Sequence, residues 1–268
     1  MDLRLVFVTV GILGLYLFQE RFIYVPSAKE MGIEQNPDNN RENYRNPGER
    51  GLTYEDVYVT SLNNVKIHGW LITHQDSASL PTIIFFHTNA GNIGLPLDFI
   101  ESLHKKLNVN ILIFGYRGYS KSEGVPKEEG IVKDAEAILK YALQSSLVDN
   151  NQIFLYGLSL GGAVAIDLAS KYNHYIQGVI LENPFANISL LVDEMFPHLK
   201  SLKSFLLRLK WDSLSKIVEI TRPILFIRSE YDDLIPNHHT LLLNDKASNT
   251  VYKNIVKILN LNFNLVFG

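Results

Sequence analysis

The chain has 268 residues, of which 46% are hydrophobic and 20% charged, with a formal net charge of -3. These values are typical of one globular domain with a large core. The negative charge argues against a phosphate-binding surface, so we expect no nucleic acid partner. Because the chain has no cysteine, disulfides, a cysteine nucleophile and cysteine-ligated metals are excluded. Its eight histidines are scattered without the spacing of a zinc site, and we expect neither a metal nor a cofactor.

The amino-terminal segment is hydrophobic. Residues 3–18 are apolar except for Arg4 and Thr9. As a helix they would span about 24 Å, slightly less than a bilayer core of about 30 Å, and Arg4 can extend to the interface. We predict a retained membrane anchor at residues 1–25, and so a single-pass membrane protein. A cleaved signal peptide and a buried core helix are the alternatives, although no small-residue cleavage site follows the segment.

A polar connector and a catalytic body follow the predicted anchor. Residues 26–51 are rich in asparagine, proline and charge and show no apolar period, which indicates a connector. The body is predicted at residues 52–268. It opens with two strand-like runs, residues 54–60 and 65–73, which flank Asn63-Asn64 and predict a hairpin.

In the rest of the body, short apolar runs alternate with longer helical stretches. The predicted strands are residues 82–87, 109–114, 152–156, 176–182 and 223–229, and the predicted helices are residues 95–107, 128–147 and 160–172. Nearly continuous apolar strands are typical of a parallel sheet with helices on both faces. We therefore predict an α/β fold with a mostly parallel sheet. The aromatic-rich stretch 186–211 is either ordinary helix packing or a small lid.

A Gly-x-Ser-x-Gly motif occupies residues 157–161, between a predicted strand and a predicted helix. In this context it predicts a nucleophile elbow, a strained turn in which strand and helix come too close for side chains at the flanking glycines. We predict that Ser159 is the nucleophile. The backbone N–H of Leu160, at the start of the helix, is a predicted donor to the oxyanion.

The loop after the strand at residues 82–87 is the expected source of a second oxyanion donor. Its small residues would let the backbone approach a substrate, and we assign the N–H of Asn89. His87 ends the buried strand beneath this loop. We expect His87 to hold the loop by hydrogen bonds rather than to act as a base.

Asp232 is the predicted acid of a catalytic triad. It follows the strand at residues 223–229, where a carboxylate could orient an imidazole, and we prefer it to its neighbour Asp233. A serine triad also needs a base that takes the serine proton and returns it to the leaving group. No histidine follows His239 in the sequence. His238 and His239 lie just after the acid loop, but either could serve as the base only if it came within hydrogen-bond reach of Ser159. We expect them instead to be exposed residues at the start of a helix.

Four ordered segments resemble one known family. They are residues 87–94 (HTNAGNIG), 116–124 (YRGYSKSEG), 157–166 (GLSLGGAVAI) and 232–236 (DDLIP). They are similar to the membrane-anchored alpha/beta hydrolases that include alpha/beta-hydrolase domain-containing protein 13 and its fungal and plant relatives. The resemblance runs from about residue 18 to residue 236. It implies an alpha/beta-hydrolase fold, an amino-terminal signal anchor and serine hydrolase chemistry. Related membrane members of the superfamily remove acyl chains from proteins or lipids.

The chain departs from this family at two places. Thr88 replaces a glycine beside the oxyanion loop. Members also carry a Gly-x-His-Asn-Asp-like segment after the last strand, which we expect here at residues 252–258, followed by a final helix. This sequence instead continues with LNLNFNLVFG at residues 259–268. Three explanations stay open: a truncated or misread hydrolase, a pseudoenzyme, and an enzyme with a relocated base.

The sequence therefore supports two hypotheses. The first is a membrane-anchored serine hydrolase of ester or thioester substrates, acylated proteins or lipids, in which Asp232 would orient a histidine absent from the chain. The second is a catalytically inactive membrane protein of the same fold that binds a lipid or a protein partner.

Overall fold

A computed structural model describes residues 14, 16–17, 19–21, 23–201, 203–229, 232, 234–247 and 253–258; at residues 199, 204, 205 and 253–258 it describes the backbone alone. The described residues form one sheet of eight strands in the order β1-β2-β4-β3-β5-β6-β7-β8. The strands are β1 Tyr54–Thr60, β2 Lys66–Ile72, β3 Thr82–Phe86, β4 Asn110–Phe114, β5 Ile153–Leu158, β6 Gly178–Glu182, β7 Ile224–Ser229 and β8 Lys253–Ile258.

The sheet is mostly parallel. β2 pairs antiparallel with β1 and with β4, and all other neighbours are parallel. Asn63 and Asn64 both have positive φ in the turn between β1 and β2, a conformation that asparagine tolerates better than most residues. The predicted hairpin and the predicted α/β fold are confirmed. The strand expected at residues 252–258 is observed as β8, while residue 252 lies outside the described residues.

Seven α-helices are described: α1 Leu97–Leu107, α2 Glu128–Gln144, α3 Leu160–Tyr172, α4 Ile188–Met195, α5 Lys203–Leu206, α6 Ser213–Lys216 and α7 His238–Lys246. Alternate residues of the central strands face opposite layers, as the two-residue period of a strand requires. Ile84 of β3 packs in the same cluster as Val164 of α3. Its neighbour Ile83 packs with Ile100 of α1 on the other face.

The predicted membrane anchor lies mostly outside the described residues, which omit 1–13, 15, 18 and 22. The described residues between 14 and 23 are helical. No helix in the described part of the chain combines the length and hydropathy needed to cross a bilayer.

The polar segment 26–51 is folded against the catalytic body. It contains three 3-10 turns, Lys29–Met31, Pro37–Asn39 and Pro47–Arg50. The Asn40 side chain donates to the Asn92 side chain at 2.9 Å, and the Arg50 guanidinium lies 2.8 Å from the Glu101 carboxylate. Side-chain bonds to the loop after β3 and to α1 therefore hold this segment in place.

Residues 186–211, which we call the cap segment, lie in the chain between β6 and β7. They contain α4, a 3-10 turn at Pro197–Leu199 and α5. The backbone N–H groups of Lys210 and Trp211 donate to the two carboxylate oxygens of Glu128, at 2.7 and 2.9 Å. Glu128 is the first residue of α2, the helix that follows β4 in the chain. A helix that connects two parallel strands begins near the carboxyl end of the first one. The cap segment is thus attached at the carboxyl edge of the sheet.

Candidate active site

Ser159 lies in a strained turn between β5 and α3. Its backbone angles are φ 55° and ψ -115°, a conformation that costs about 1–3 kcal/mol for a residue with a side chain. Two hydrogen bonds hold the turn: Ser159 N–H donates to Glu182 O at 3.0 Å, and Gly162 N–H donates to Ser159 O at 2.9 Å. The surrounding fold therefore imposes the conformation that a nucleophile elbow requires.

The glycines beside Ser159 permit a close approach of α3 to the sheet. A Cβ atom at Gly157 would lie 2.3 Å from the carbonyl oxygen of Gly161, and one at Gly161 would lie 2.0 Å from that of Phe86. Both distances are far inside van der Waals contact. The predicted steric reason for these glycines is confirmed, whereas the catalytic role of Ser159 stays a prediction.

The loop that carries Asn89 leaves the sheet beside this turn. β3 and β5 are parallel neighbours, and Phe86 at the end of β3 is in register with Gly157. The loop after β3 and the turn after β5 therefore meet at the same edge of the sheet. Among the described residues, the backbone N–H groups of Asn89 and Leu160 have no hydrogen-bond acceptor. Two unpaired amides at this edge are suited to an oxyanion.

The Asn89 side chain is held from two sides. Its amide group donates to the carbonyl of Ile23, and its Oδ1 accepts from the Tyr119 hydroxyl at 3.0 Å. The next residues of the loop pair with the same amino-terminal segment, because Gly91 N–H donates to Val25 O at 3.0 Å. Residues 1–25 were predicted to be the anchor, and this contact was not predicted. No local sequence pattern reports a hydrogen bond across 66 positions.

His87 holds the same loop from below. Its Nδ1 lies 2.7 Å from the Thr88 carbonyl oxygen, to which it donates, and its own carbonyl oxygen accepts from the Tyr116 hydroxyl at 2.8 Å. Complete burial lowers the pKa of His87 to about 4 because the charged ring would lose its hydration. These contacts are the hydrogen bonds that we predicted for His87. A ring with this pKa is a weak base at neutral pH.

Asp232 lies three residues beyond the end of β7. Only β6 separates β7 from β5, and the three strands are parallel, so Asp232 and Ser159 follow carboxyl ends at one edge of the sheet. Oδ1 of Asp232 accepts from the N–H groups of Leu234 and Ile235, both at 2.9 Å. The carboxylate is thereby fixed to its own loop. Asp233 lies outside the described residues.

His238 and His239 begin α7, as expected, but the prediction that both are exposed is wrong. His239 is fully buried. Its Nδ1 accepts from the N–H of Ala186 at 3.1 Å, and its Nε2 lies 2.9 Å from the Glu194 carboxylate. Both ring nitrogens are therefore engaged with the cap segment rather than with Ser159. Docking of α7 against the cap segment, which local sequence does not encode, buries the ring.

Glu194, His238 and His239 have ligand atoms within 4.8 Å of one another, a grouping that sequence spacing did not reveal. The protonation state of His239 argues against metal binding by these three side chains. Because Nδ1 of His239 accepts a hydrogen bond, its only lone pair faces Ala186, and Nε2 carries the proton that it donates to Glu194. Burial lowers the pKa of His239, which favours this neutral form. The three side chains fasten α4 to α7.

A buried carboxyl, Glu182, lies beside the turn. The Tyr156 hydroxyl donates a hydrogen bond to the Glu182 carboxyl, and burial raises the pKa of both groups. Glu182 also supplies the carbonyl oxygen that accepts from Ser159 N–H. The sequence analysis did not single out this pair, which fixes the end of β6 against β5 directly below Ser159.

Comparisons with known proteins agree with this geometry. Residues 78–217 match the sequence profile of the Hydrolase_4 family, described as serine aminopeptidase, S33. The chain belongs to the alpha/beta hydrolases.

Its relatives include the alpha/beta hydrolase domain-containing protein WAV2 of Arabidopsis thaliana, 34% identical over 90% of this chain and 79% of that protein. The uncharacterized membrane protein YNL320W of Saccharomyces cerevisiae is 32% identical over 86% of this chain and 78% of that protein. These matches confirm the predicted resemblance to plant and fungal proteins. The esterase Pf2001 of Pyrococcus furiosus has the same fold, with a TM-score of 0.64 and 21% identity over 83% of this chain and 90% of that chain.

Proposed function

We propose that this protein is a membrane-attached serine hydrolase that cleaves an ester or thioester bond in an acylated protein or a lipid. The observation that carries the proposal is the strained turn at Ser159, which follows a strand parallel to the one before the Asn89 loop. It is supported by the N–H groups of Asn89 and Leu160, which have no acceptor among the described residues. A fold gains nothing in stability from such a conformation, and strain of this kind is concentrated at functional sites.

In the proposed mechanism, Ser159 Oγ attacks the acyl carbon and forms a tetrahedral intermediate. The N–H groups of Asn89 and Leu160 donate to its oxyanion. Collapse of the intermediate expels the alcohol or thiol and leaves an acyl-serine, which water then hydrolyses. Asp232 would orient the imidazole that moves the proton in both steps.

The imidazole is the component that this sequence does not place. No histidine follows His239, and the ring nitrogens of His239 are bonded to Ala186 and Glu194. Loss of the base from a serine triad costs about 10⁶ in kcat. We therefore expect very slow turnover from the 268-residue chain, and acylation of Ser159 by a reactive probe is the appropriate assay.

Membrane attachment is supported by the apolar run at residues 3–18 and by the relative that is named a membrane protein. An acyl chain as part of the substrate would fit an enzyme held at a bilayer.

The test is labelling of the full chain in detergent with a fluorophosphonate probe. Two proteins are compared with their Ser159→Ala variants: the chain as it is, and a version with a histidine-containing loop added after β8. We expect slow labelling of the first and fast labelling of the second, both lost in Ser159→Ala. Failure to label Ser159 in the version with the added histidine would contradict the proposal.

The alternative is a catalytically inactive protein of this fold that binds a lipid or a protein partner at the edge of the sheet that carries Ser159. Thr88, at the position where the resembled family has a glycine, favours it. Labelling of the 268-residue chain that disappears in Ser159→Ala would count against this alternative.

A further inference from the structure

We propose that the exposed surface of the cap segment rests on an anionic bilayer, so that the edge of the sheet that carries Ser159 faces the membrane. The surface, which we call the cap surface, consists of Met195, Phe196, Lys200 and Lys210. The inference rests on the proposed membrane attachment, which would hold the cap surface close to the lipid.

The stretch of chain that carries the cap surface is basic, whereas the chain as a whole is acidic. Residues 195–211 contain four basic residues and no acidic one, whereas the whole chain has a net charge of -3. Lys203 and Arg208 pair with Asp193 and Glu20, at 2.6 and 2.8 Å. Lys200 and Lys210 are exposed, and neither makes an ion pair with any described residue. Exposed lysines of this kind are attracted to the negative surface of an anionic leaflet.

Large exposed apolar side chains precede Lys200 in the cap segment. Met195 is 49% exposed and Phe196 is 51% exposed, at the end of α4. Exposed apolar residues beside basic ones are typical of segments that lie in a membrane interface, where the apolar part enters the acyl boundary and the charges meet the headgroups.

The cap segment is bonded to the last part of the predicted anchor. The Gln19 side chain donates to the carbonyl of Leu206 at 3.0 Å and accepts from the N–H of Arg208 at 2.9 Å. Tyr16 and Leu17, on the same amino-terminal stretch, are 38% and 49% exposed. The last part of the predicted anchor, residues 1–25, is therefore bonded to the cap segment itself.

The cap segment is in turn fixed above the proposed active site. Glu128 holds the N–H groups of Lys210 and Trp211, and Trp211 Nε1 donates to the Tyr24 hydroxyl at 2.9 Å. Tyr24 precedes Val25, which pairs with Ala90 of the oxyanion loop. A bilayer against the cap surface would thus lie near the loop that carries Asn89, so that an acyl chain could pass from the lipid toward Ser159.

The test uses the full chain in vesicles of phosphatidylcholine with or without phosphatidylserine. Phe196→Trp introduces a fluorophore at the cap surface. The control, Tyr175→Trp, introduces one at a residue that is 40% exposed and precedes β6, at the opposite edge of the sheet. The two native tryptophans, Trp70 and Trp211, are each 1% exposed and give a constant background.

We expect phospholipids brominated near the headgroup to quench the added fluorescence of Phe196→Trp about twofold, and that of Tyr175→Trp hardly at all. In the Phe196→Trp background, Lys200→Glu with Lys210→Glu should remove the part of the quenching that depends on phosphatidylserine. Lys106→Glu with Lys140→Glu, the same charge change at exposed lysines elsewhere, should not. Equal quenching of the two probes, or none for Phe196→Trp, would overturn the inference, as would equal effects of the two charge-reversed pairs.

Fluorophosphonate labelling of Ser159 in detergent, measured on the same variants, separates the two proposals. Labelling that persists while quenching fails would overturn only the inference about the cap surface. Quenching that persists in a protein whose Ser159 does not label, even with the added histidine loop, would contradict only the proposed hydrolase.

Discussion

The side-chain amide of Asn89 donates a hydrogen bond to the backbone carbonyl of Ile23, so the segment that precedes the connector supports the loop proposed to bind the oxyanion. Asn89 bonds on its other side to the Tyr119 hydroxyl. A loop held from two sides presents its backbone N–H in one position. Preorganised donors of this kind are the main source of oxyanion stabilisation.

Asn89→Ala should therefore slow acylation of Ser159 more than it weakens the fold. The backbone N–H is kept, but both side-chain bonds that position it are lost. We expect about a tenfold lower rate of fluorophosphonate labelling, and a loss of about 1–2 kcal/mol in the free energy of unfolding in urea. Tyr119→Phe should have a smaller effect in the same direction, and Tyr58→Phe, at an exposed tyrosine, should have none. An unchanged labelling rate in Asn89→Ala would show that the side chain does not position the donor.

Ser159→Gly should be more stable than Ser159→Ala. The φ angle of 55° at this position is strained for alanine as for serine, whereas glycine adopts it freely. We expect a difference of about 1 kcal/mol or more in the free energy of unfolding, measured by urea denaturation of the two variants in parallel. Neither variant should label with the probe. Equal stability would mean that the turn relaxes when the hydroxyl is removed.

Gly161→Ala should disrupt the fold, and Gly162→Ala should be tolerated much better. The first substitution would place a Cβ atom 2.0 Å from the Phe86 carbonyl oxygen, a backbone atom that cannot turn away. The second would place one 3.1 Å from Cβ of Pro184, which needs a shift of only a few tenths of an ångström. We expect a loss of about 3 kcal/mol or more for Gly161→Ala and about 1 kcal/mol for Gly162→Ala. Thermal unfolding followed by circular dichroism would compare them, and similar midpoints would contradict the close approach of α3.

His87 should make the fold less stable in mild acid. Its pKa is lowered from 6.5 to about 4, so between these values the unfolded chain binds a proton that the folded chain does not. Stability from this group is fully present above pH 6.5 and declines as the pH falls toward 4, by about 3 kcal/mol in all.

His87→Asn, which keeps a donor for the Thr88 carbonyl, should therefore reduce the dependence of the free energy of unfolding on pH across this range. His174→Asn, at an exposed histidine, should leave it unchanged. His68, His104 and His239 also have lowered pKa values, so some dependence should persist in His87→Asn. An identical pH profile in His87→Asn and the parent chain would show that burial of His87 does not set the acid sensitivity.

The local sequence pattern was sufficient to predict the strands of the sheet and the turn at Ser159. The apolar runs located β3 to β7 to within two residues at each end, and the predicted helix at residues 160–172 coincides with α3. The reason is physical: strand and helix periods, and the steric need for Gly157 and Gly161, are properties of neighbouring residues. The parallel pairing of β3 with β5 then follows from the predicted fold.

Contacts between distant segments were not predictable in the same way. The burial of His239 depends on α4 and α7 meeting, and Glu194 lies 45 positions before it. The bond from Asn89 to Ile23 likewise joins segments that the sequence assigned to different parts of the protein. Neither contact leaves a periodic signal, because each is made by single polar side chains that are far apart in the sequence.

The amino-terminal stretch from Gln19 to Val25 contacts both the cap segment and the loop after β3. A soluble version trimmed at residue 25 to remove the hydrophobic leader would therefore also delete the partners of Asn89, Arg208 and Trp211. Such a trimmed enzyme could be misjudged inactive or unstable for a reason unrelated to its chemistry. Biochemical work on the catalytic body should retain the chain from about residue 14 onward and solubilise it with detergent instead.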